Sequence, residues 1–368
     1  QAYPLRGTPV FVDRYGCGHI NDTFAVACDS GCMYILQRVN SRIFTKPWEL
    51  MENIHAVTEF LRERTEDPRG CLSLIPTKDG KSAFVDEEGE YWRVFPFITD
   101  SICLQKAESP EEFRQSAVAF GRFQKTLAQF PAAKLHEPIA NFHNTVDRYR
   151  QFHEALDADA LGRRVLCEKE IRFYLDREPE AGAIVDRLAD GRLPLRVTHN
   201  DTKLSNILLD EITEEAVCII DLDTVMPGSS LYDFGDSIRS GATSAAEDEP
   251  DLDKVHFLPE MFKAYAKGFI KGTGGALTET ELTMLPDGGY TITLDYKVLE
   301  DRSLREADNS ALNVIANTVS FQKKEEEITG SSALVHFTSE PPSETNSDTF
   351  TVTGNCAPGT HIISVLMR

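Results

Sequence analysis

The sequence predicts an α+β chain of two lobes, a small one built on antiparallel strands and a larger one built mostly on helices. Three observations carry this. Runs of β-forming residues broken by glycine turns occupy residues 10–40 and 72–98, with one amphipathic stretch between them. Beyond residue 99 helical periodicity takes over. A chain of 368 residues, 41% hydrophobic and 26% charged, has the material for two cores. The boundaries read as 1–98 for the first lobe, 99–286 for the second, and 287–368 for a C-terminal segment of different texture.

In order, FVDRY, TFAVAC and MYILQRV are strand-like runs between Val10 and Asn40, parted by GCGHIND and by DSGC, where Asp29-Ser30-Gly31 supplies hairpin chemistry. Pro47 opens a helix in which Trp48, Met51, Ile54, Val57, Thr58 and Leu61 follow the 3-4 spacing of a buried face. LSLIPTKDGKSAFVDEEGEYWRVFPFI returns to strands, with turns at KDGK and EEGE. FPFITDS connects the lobes. Ser109, two residues before Glu111, caps a helix of about 20 residues. HNTVDRYRQFHEALD and EKEIRFYLDREPEAGAIVDRLADG predict two more helices, the second ending at Gly191. LPLRVTHND, NILLD and AVCIIDLD are short strands around polar loops, and LPEMFKAYAKGFIKG is helical again. After Pro286 the runs YTITLDYKVL, ALNVIANTVSF, SALVHFTS, DTFTVTGN and HIISVLM favour strand, separated by charged or Ser/Thr/Pro-rich breaks.

A net charge of −21 argues against a broad nucleic-acid footprint and against anchoring on an anionic membrane. A small partner is expected, and an anionic one would need divalent metal, basic side chains or backbone N–H groups to reverse the acidity locally. The eight cysteines, at 17, 28, 32, 71, 103, 167, 218 and 356, form no CxxC pair, which predicts reduced thiols in a cytoplasmic protein. The nine histidines show no HExxH spacing, and no apolar run approaches 18 residues. Gln1 in place of Met predicts a trimmed or fragmentary start.

The chemistry concentrates in VTHNDTKLSNILLD. Here His199, Asp201, Lys203 and Asn206 are spaced H-x-D-x-K-x-x-N, and IIDLD follows with Asp221 and Asp223. Phosphoryl transfer to a hydroxyl requires these parts: a carboxylate to receive the proton, a cation for the transferred phosphate and oxygen ligands for magnesium. Asx residues also cap turns, but a strand-rich lobe with a glycine turn upstream and a hydrophobic-hydrophobic-Asp downstream make the combination specific. His199 reads as a structural histidine bonded to backbone near the Asp221 strand. In YDFGDSIR, Asp233 or Asp236 is expected to brace the loop by accepting backbone N–H bonds.

This loop, together with YGCGHINDTF, LQRVNSRIF and IDLDTVMPGSSLYDFGDSIRSGA, resembles the N-acetylhexosamine 1-kinases, a branch of the aminoglycoside-phosphotransferase-like enzymes. The resemblance covers about residues 10–285 and implies a bilobal protein-kinase-like fold. It also implies transfer of the γ-phosphate of ATP, with Mg2+, to the anomeric hydroxyl of N-acetylglucosamine or N-acetylgalactosamine. Carried over, Asp201 is the base or orienter, Lys203 neutralises the γ-phosphate, and Asn206 and Asp221 are the magnesium ligands. Asp223 and Thr224 are placed to touch metal or sugar, or to cap their turn. Gly16 and Gly18, with Asn21 and Thr23 just after, would cover the triphosphate. Arg38 substitutes for the usual strand lysine, with Glu52 as its ion-pair partner, and Pro96, Phe97 and Ile98 present backbone groups to adenine.

The C-terminus departs from the family. Thr293-Leu294-Asp295 survives, but Leu299 stands where an arginine of the sugar pocket is expected, and Arg302 serves only after a register shift of about three residues. The segment 287–368 is therefore atypical, which predicts weak acceptor binding. Two alternatives stand beside the sugar kinase: another small-molecule kinase of the same fold, acting on an aminoglycoside, an amino alcohol or a different sugar, and an inactive nucleotide-binding relic.

Overall fold

The computed structural model describes residues 2–16, 18, 20–245, 249 and 251–285, with the backbone of 336–337 and 354–355. The small lobe holds β1 (Pro9–Arg14), β2 (Asp22–Cys28), β3 (Met33–Val39), α1 (Pro47–Arg62), β4 (Phe84–Val85) and β5 (Tyr91–Pro96). Its strands form one antiparallel sheet in the order β1-β2-β3-β5-β4. Alternation along the strands gives the two faces different tasks. Ile35, Val39, Tyr91 and Phe95 face α1, whereas Val26, Tyr34, Leu36 and Val94 pack with Tyr3 and Leu5 on the other side.

The helix α1 starts at Pro47, as its sequence requires, and buries Leu50, Met51, Ile54 and Val57. These side chains pack on Val39 and Phe95 from the sheet and on Phe44 from the turn before α1, but also on Phe123, Leu222 and Val225 from the large lobe. Asn53, buried on the same helix, donates from Nδ2 to the carbonyls of His136 (2.9 Å) and Val225 (2.9 Å), and its Oδ1 accepts from the His136 N–H (2.9 Å).

In the large lobe, β6 (Ser101–Cys103), β8 (Ile207–Asp210) and β9 (Ala216–Ile219) form one antiparallel ribbon, and β7 (Arg196–Thr198) pairs with β10 (Met226–Gly228). Around them lie α2 (Pro110–Leu127), α3 (Thr145–Ala158), α4 (Glu168–Leu175), α5 (Val185–Ala189), α6 (Ser230–Gly241), α7 (Pro259–Thr273) and α8 (Glu279–Met284). Ser109 caps α2 as expected, accepting from the Glu112 N–H. The helices α2 and α7 meet backbone to backbone. A Cβ on Gly272 would lie 2.4 Å from the Val118 carbonyl oxygen, and one on Gly121 2.5 Å from that of Phe269, so only glycine fits this seam.

One helix expectation is corrected. The stretch 168–191 is two short helices, α4 and α5, with a tight turn at Glu178–Glu180, because Pro179 has no N–H to give and its ring blocks the continuing helix. Among the described residues no helix is long and apolar enough to cross a membrane, and no disulfide joins the cysteines. Of the strands expected after Pro286, only the antiparallel pairing of His336–Phe337 with Gly354–Asn355 is described. The Thr293-Leu294-Asp295 segment, Leu299 and Arg302 lie outside the described residues.

Candidate active site

The site forms where β7 ends. His199 is fully buried, its Nε2 lying 2.9 Å from the Ile220 carbonyl and its ring edge-on to Phe120 and Phe123, so it anchors the loop to the next strand. Asn200 takes the left-handed conformation (φ 66°), a strained choice that three bonds hold in place. Its N–H donates to Asp233 Oδ1 (2.8 Å) and its Nδ2 to the Thr224 carbonyl (2.8 Å), while the preceding His199 N–H donates to Asp233 Oδ2 (3.1 Å). Asp236 accepts from the Thr202 N–H (2.8 Å). Both acidic residues of α6 therefore brace the loop. Burial pushes the Asp233 carboxyl up to about 6, against the pull of those N–H donors and of Gln124.

Asp201 emerges from this braced loop into the cleft. Its Oδ2 accepts from Asn206 Nδ2 (2.8 Å), which also donates to the Asp201 carbonyl (2.8 Å), and Lys203 Nζ stands 3.5 Å from Oδ1. Across the ribbon β8–β9, Asp221 also adopts left-handed geometry (φ 59°). It opens to the cleft on one side and is crowded by protein on the others. Desolvation, then the negative charges of Asp223 and Asp201, raise its carboxyl to about 7. Among the described residues no group of three or more His, Cys, Asp or Glu side chains converges as a ready metal cage.

The glycine turn lies above. Gly16 is at φ +80°, and among the described residues a Cβ on Gly16 or Gly18 would meet nothing within 4 Å. Its base is tied by the Tyr15 N–H to the Thr23 carbonyl (3.0 Å). Thr23 Oγ1 accepts from Gln37 Nε2 (3.0 Å), and Asn21 Nδ2 donates to Asp223 Oδ2.

Four expectations need correction. Arg38 does not pair with Glu52. Alternation turns Arg38 to the outer face of the sheet, where it pairs with Asp22 and lies over Trp92 with 43% of its side chain exposed, while Glu52 bonds His136 (2.8 Å). Thr224 is buried and its hydroxyl donates to the His199 carbonyl (2.6 Å), so it locks the loop instead of facing an acceptor. Asp223 is 3% exposed, with both carboxylate oxygens held by the small lobe. In the connector, the Phe97 N–H is bonded to the Met33 carbonyl (3.1 Å), because the β3–β5 ladder runs one residue past Pro96.

The sequence reading missed Arg93, which lies beside Gln37 on the inner face. Arg93 is 2% exposed, and its Nη1 lies 2.5 Å from Asp223 Oδ1 and its Nε 3.0 Å from Gln37 Oε1. The available signal was the cross-strand register, which sets Arg93 opposite Gln37 on the inner face.

Residues 13–266 match the profile described as the Phosphotransferase enzyme family. The chain belongs to this family. Among solved structures, the phosphotransferase is similar to the amicoumacin kinase hAmiN in complex with AMP-PNP, Ca2+ and Ami. The two are 12% identical, with a TM-score of 0.54 and with 86% of this chain and 91% of that one covered. An aminoglycoside phosphotransferase from Alicyclobacillus acidocaldarius is 14% identical, with a TM-score of 0.50 over 86% of this chain and 88% of that one. At such identities the likeness establishes the fold, which is the bilobal arrangement described above.

Proposed function

We propose that this phosphotransferase moves the γ-phosphoryl group of ATP, bound with Mg2+, to the anomeric hydroxyl of an N-acetylhexosamine, giving the sugar 1-phosphate and ADP. The observation that carries the phosphoryl-transfer part is the geometry of Asp201. It is a cleft carboxylate oriented by Asn206 on a loop that Asp233 and Asp236 hold rigid, with Asp221 facing it from the next ribbon. The sugar is supported by the restrictive GHINDT and IDLDTVMPG segments.

In this reading Asp201 orients the anomeric hydroxyl and receives its proton as the new O–P bond forms and the bond to the β-phosphate oxygen breaks. An anomeric hydroxyl is more acidic than an ordinary alcohol, which eases transfer of its proton to a carboxylate. Lys203 screens the γ-phosphate. The donor set fits magnesium, since Asn206 Oδ1 and the Asp221 carboxylate are hard oxygens, and Mg2+ is commonly held by one or two carboxylates plus substrate phosphates. When bound, the ion would neutralise charge on the β- and γ-phosphates. Gly16 and Gly18 leave room for backbone N–H groups to approach the triphosphate. The carbonyls of Pro96 and Phe97 and the backbone of Ile98 remain the candidates for adenine.

ATP turnover with a panel of N-acetylhexosamines, hexoses, amino alcohols and aminoglycosides, with phosphorus NMR locating the ester, tests this. An anomeric phosphate on N-acetylhexosamine supports the proposal, whereas transfer only to a cationic acceptor establishes the second reading, which the −21 charge favours. No turnover with any acceptor leaves a relic.

A further inference from the structure

A chain of polar contacts crosses the cleft and joins the inner face of the sheet to the segment after β9. Thr23, Gln37 and Arg93 stand opposite one another on β2, β3 and β5. Gln37 donates to Thr23 (3.0 Å) and accepts from Arg93 Nε (3.0 Å). Arg93 then leaves the small lobe to pair with Asp223 (2.5 Å), its guanidinium lying 5.4 Å from the Phe95 ring centroid. The second oxygen of Asp223 accepts from Asn21, three residues beyond Gly18, and Asn21 Oδ1 accepts from the Asn40 N–H (3.0 Å). One buried carboxylate of the large lobe thus holds both the fifth strand and the base of the glycine turn.

We propose that Arg93 is the positioning residue of the nucleotide cleft: by fixing Asp223 it anchors Asn21, and with it the glycine turn, at a set height above Asp221. The proposal rests on the nucleotide-binding part of the reading above. A buried guanidinium has no solvent to fall back on, so its two directed bonds define where Asp223 lies. Lysine, with a single rotatable ammonium, cannot reproduce both. Arg38, on the outer face, pairs with Asp22 instead.

The test is calorimetry of Mg·AMP-PNP binding without acceptor, with thermal melting and steady-state kinetics alongside. Arg93→Lys is expected to weaken nucleotide binding about tenfold or more and to raise KM for ATP by a similar factor, with a smaller change in kcat. Asn21→Ala is expected to weaken binding several-fold at an unchanged melting temperature. The double variant should bind no more weakly than Arg93→Lys alone, because both act through Asp223. Arg38→Ala should stay within twofold of wild type. Unchanged affinity in Arg93→Lys, additive losses in the double variant, or a tenfold loss in Arg38→Ala would each overturn the proposal. If Arg93→Lys does not fold, Asn21→Ala decides: weaker binding at wild-type melting temperature supports the anchor, and wild-type affinity refutes it. A wild-type protein that binds no Mg·AMP-PNP removes this proposal together with the nucleotide reading. One that binds it but phosphorylates no sugar removes the acceptor reading alone.

Discussion

Asp201 owes its position to hydrogen bonds made by its neighbours in the loop and on α6. Asn206 grips its carboxylate and its own carbonyl, and the left-handed Asn200 before it is pinned through Asp233 and Thr224. Asp201→Asn keeps this shape but cannot take a proton or carry charge, so turnover should fall by about 10²–10⁴ or more while nucleotide binding stays within a few-fold. Activity within tenfold of wild type would remove Asp201 from its role. Asp221 predicts a pH dependence. Burial and the nearby Asp223 and Asp201 charges raise its carboxyl and favour a bound proton in mild acid, which, on the proposed assignment of Asp221 as a magnesium ligand, binding of Mg-nucleotide must expel. Affinity should therefore decline as pH falls from 8 towards 6. Calorimetry at pH 6 in two buffers of different ionisation enthalpy should register proton release that Asp221→Asn lacks, and equal proton counts in the two proteins would show that another group titrates.

Among the elements, α8 illustrates how a short helix can be indispensable. Glu281 at its third position accepts from its own Thr278 cap (N–H, 2.7 Å), from Ser230 at the start of α6 (2.7 Å) and from Arg196 at the start of β7 (2.7 Å to Nη2), so one carboxylate joins three elements. Burial alone would push this carboxyl up, but Arg196, Thr278 and Ser230 together hold it below the ordinary range. A depressed carboxyl contributes stability above the unfolded value, near ~4.3, and loses it as pH falls through the lower folded one. Glu281→Ala should cost about 3–5 kcal/mol at neutral pH, as broken buried pairs do, and less in acid below the folded value. Denaturant unfolding at pH 7 and pH 3 measures both, and an equal penalty at the two would contradict the pairing. The seam between α2 and α7 is as intolerant. Gly272→Ala should cost roughly 1–3 kcal/mol through overpacking, and a melting temperature unchanged within error would mean that the helices can part without penalty.

The elements also show what sequence could reveal. The hairpins of β1 to β3, the Ser109 cap and the H-x-D-x-K-x-x-N loop are local signals that lie where their residues predict, whereas of the strands expected over 72–98 only Phe84–Val85 and Tyr91–Pro96 form. Arg93 was not legible, because its importance arises only when β5 pairs with β3 and the alternation sets it inward, 130 positions from Asp223. Arg38 failed for the same reason, since a neighbouring residue on a strand faces the other way. The break at Pro179 was legible in principle, but helical periodicity on either side concealed it.

At the scale of the molecule, the two lobes are joined by more than their connector. The apolar cluster around α1 takes Val39, Phe44 and Phe95 from one lobe and Phe123, Leu222 and Val225 from the other. We therefore expect the boundary near residue 98 to be a feature of shape and not of energetics. Scanning calorimetry should give one cooperative transition for both lobes, and two resolved transitions would show independent cores.

Asn53 adds a mechanical consequence. Its amide is bonded to His136 and Val225 on three counts, so α1 belongs to the large lobe in its hydrogen bonds while belonging to the sheet in its sequence. If the cleft opens to admit a nucleotide and release a product, the helix stays behind and the sheet must slide across it. The fulcrum of that motion is then the greased contact of Ile35, Val39 and Phe95 on Met51 and Ile54, and how freely the cleft breathes is set by the smoothness of these side chains more than by the length of the linker.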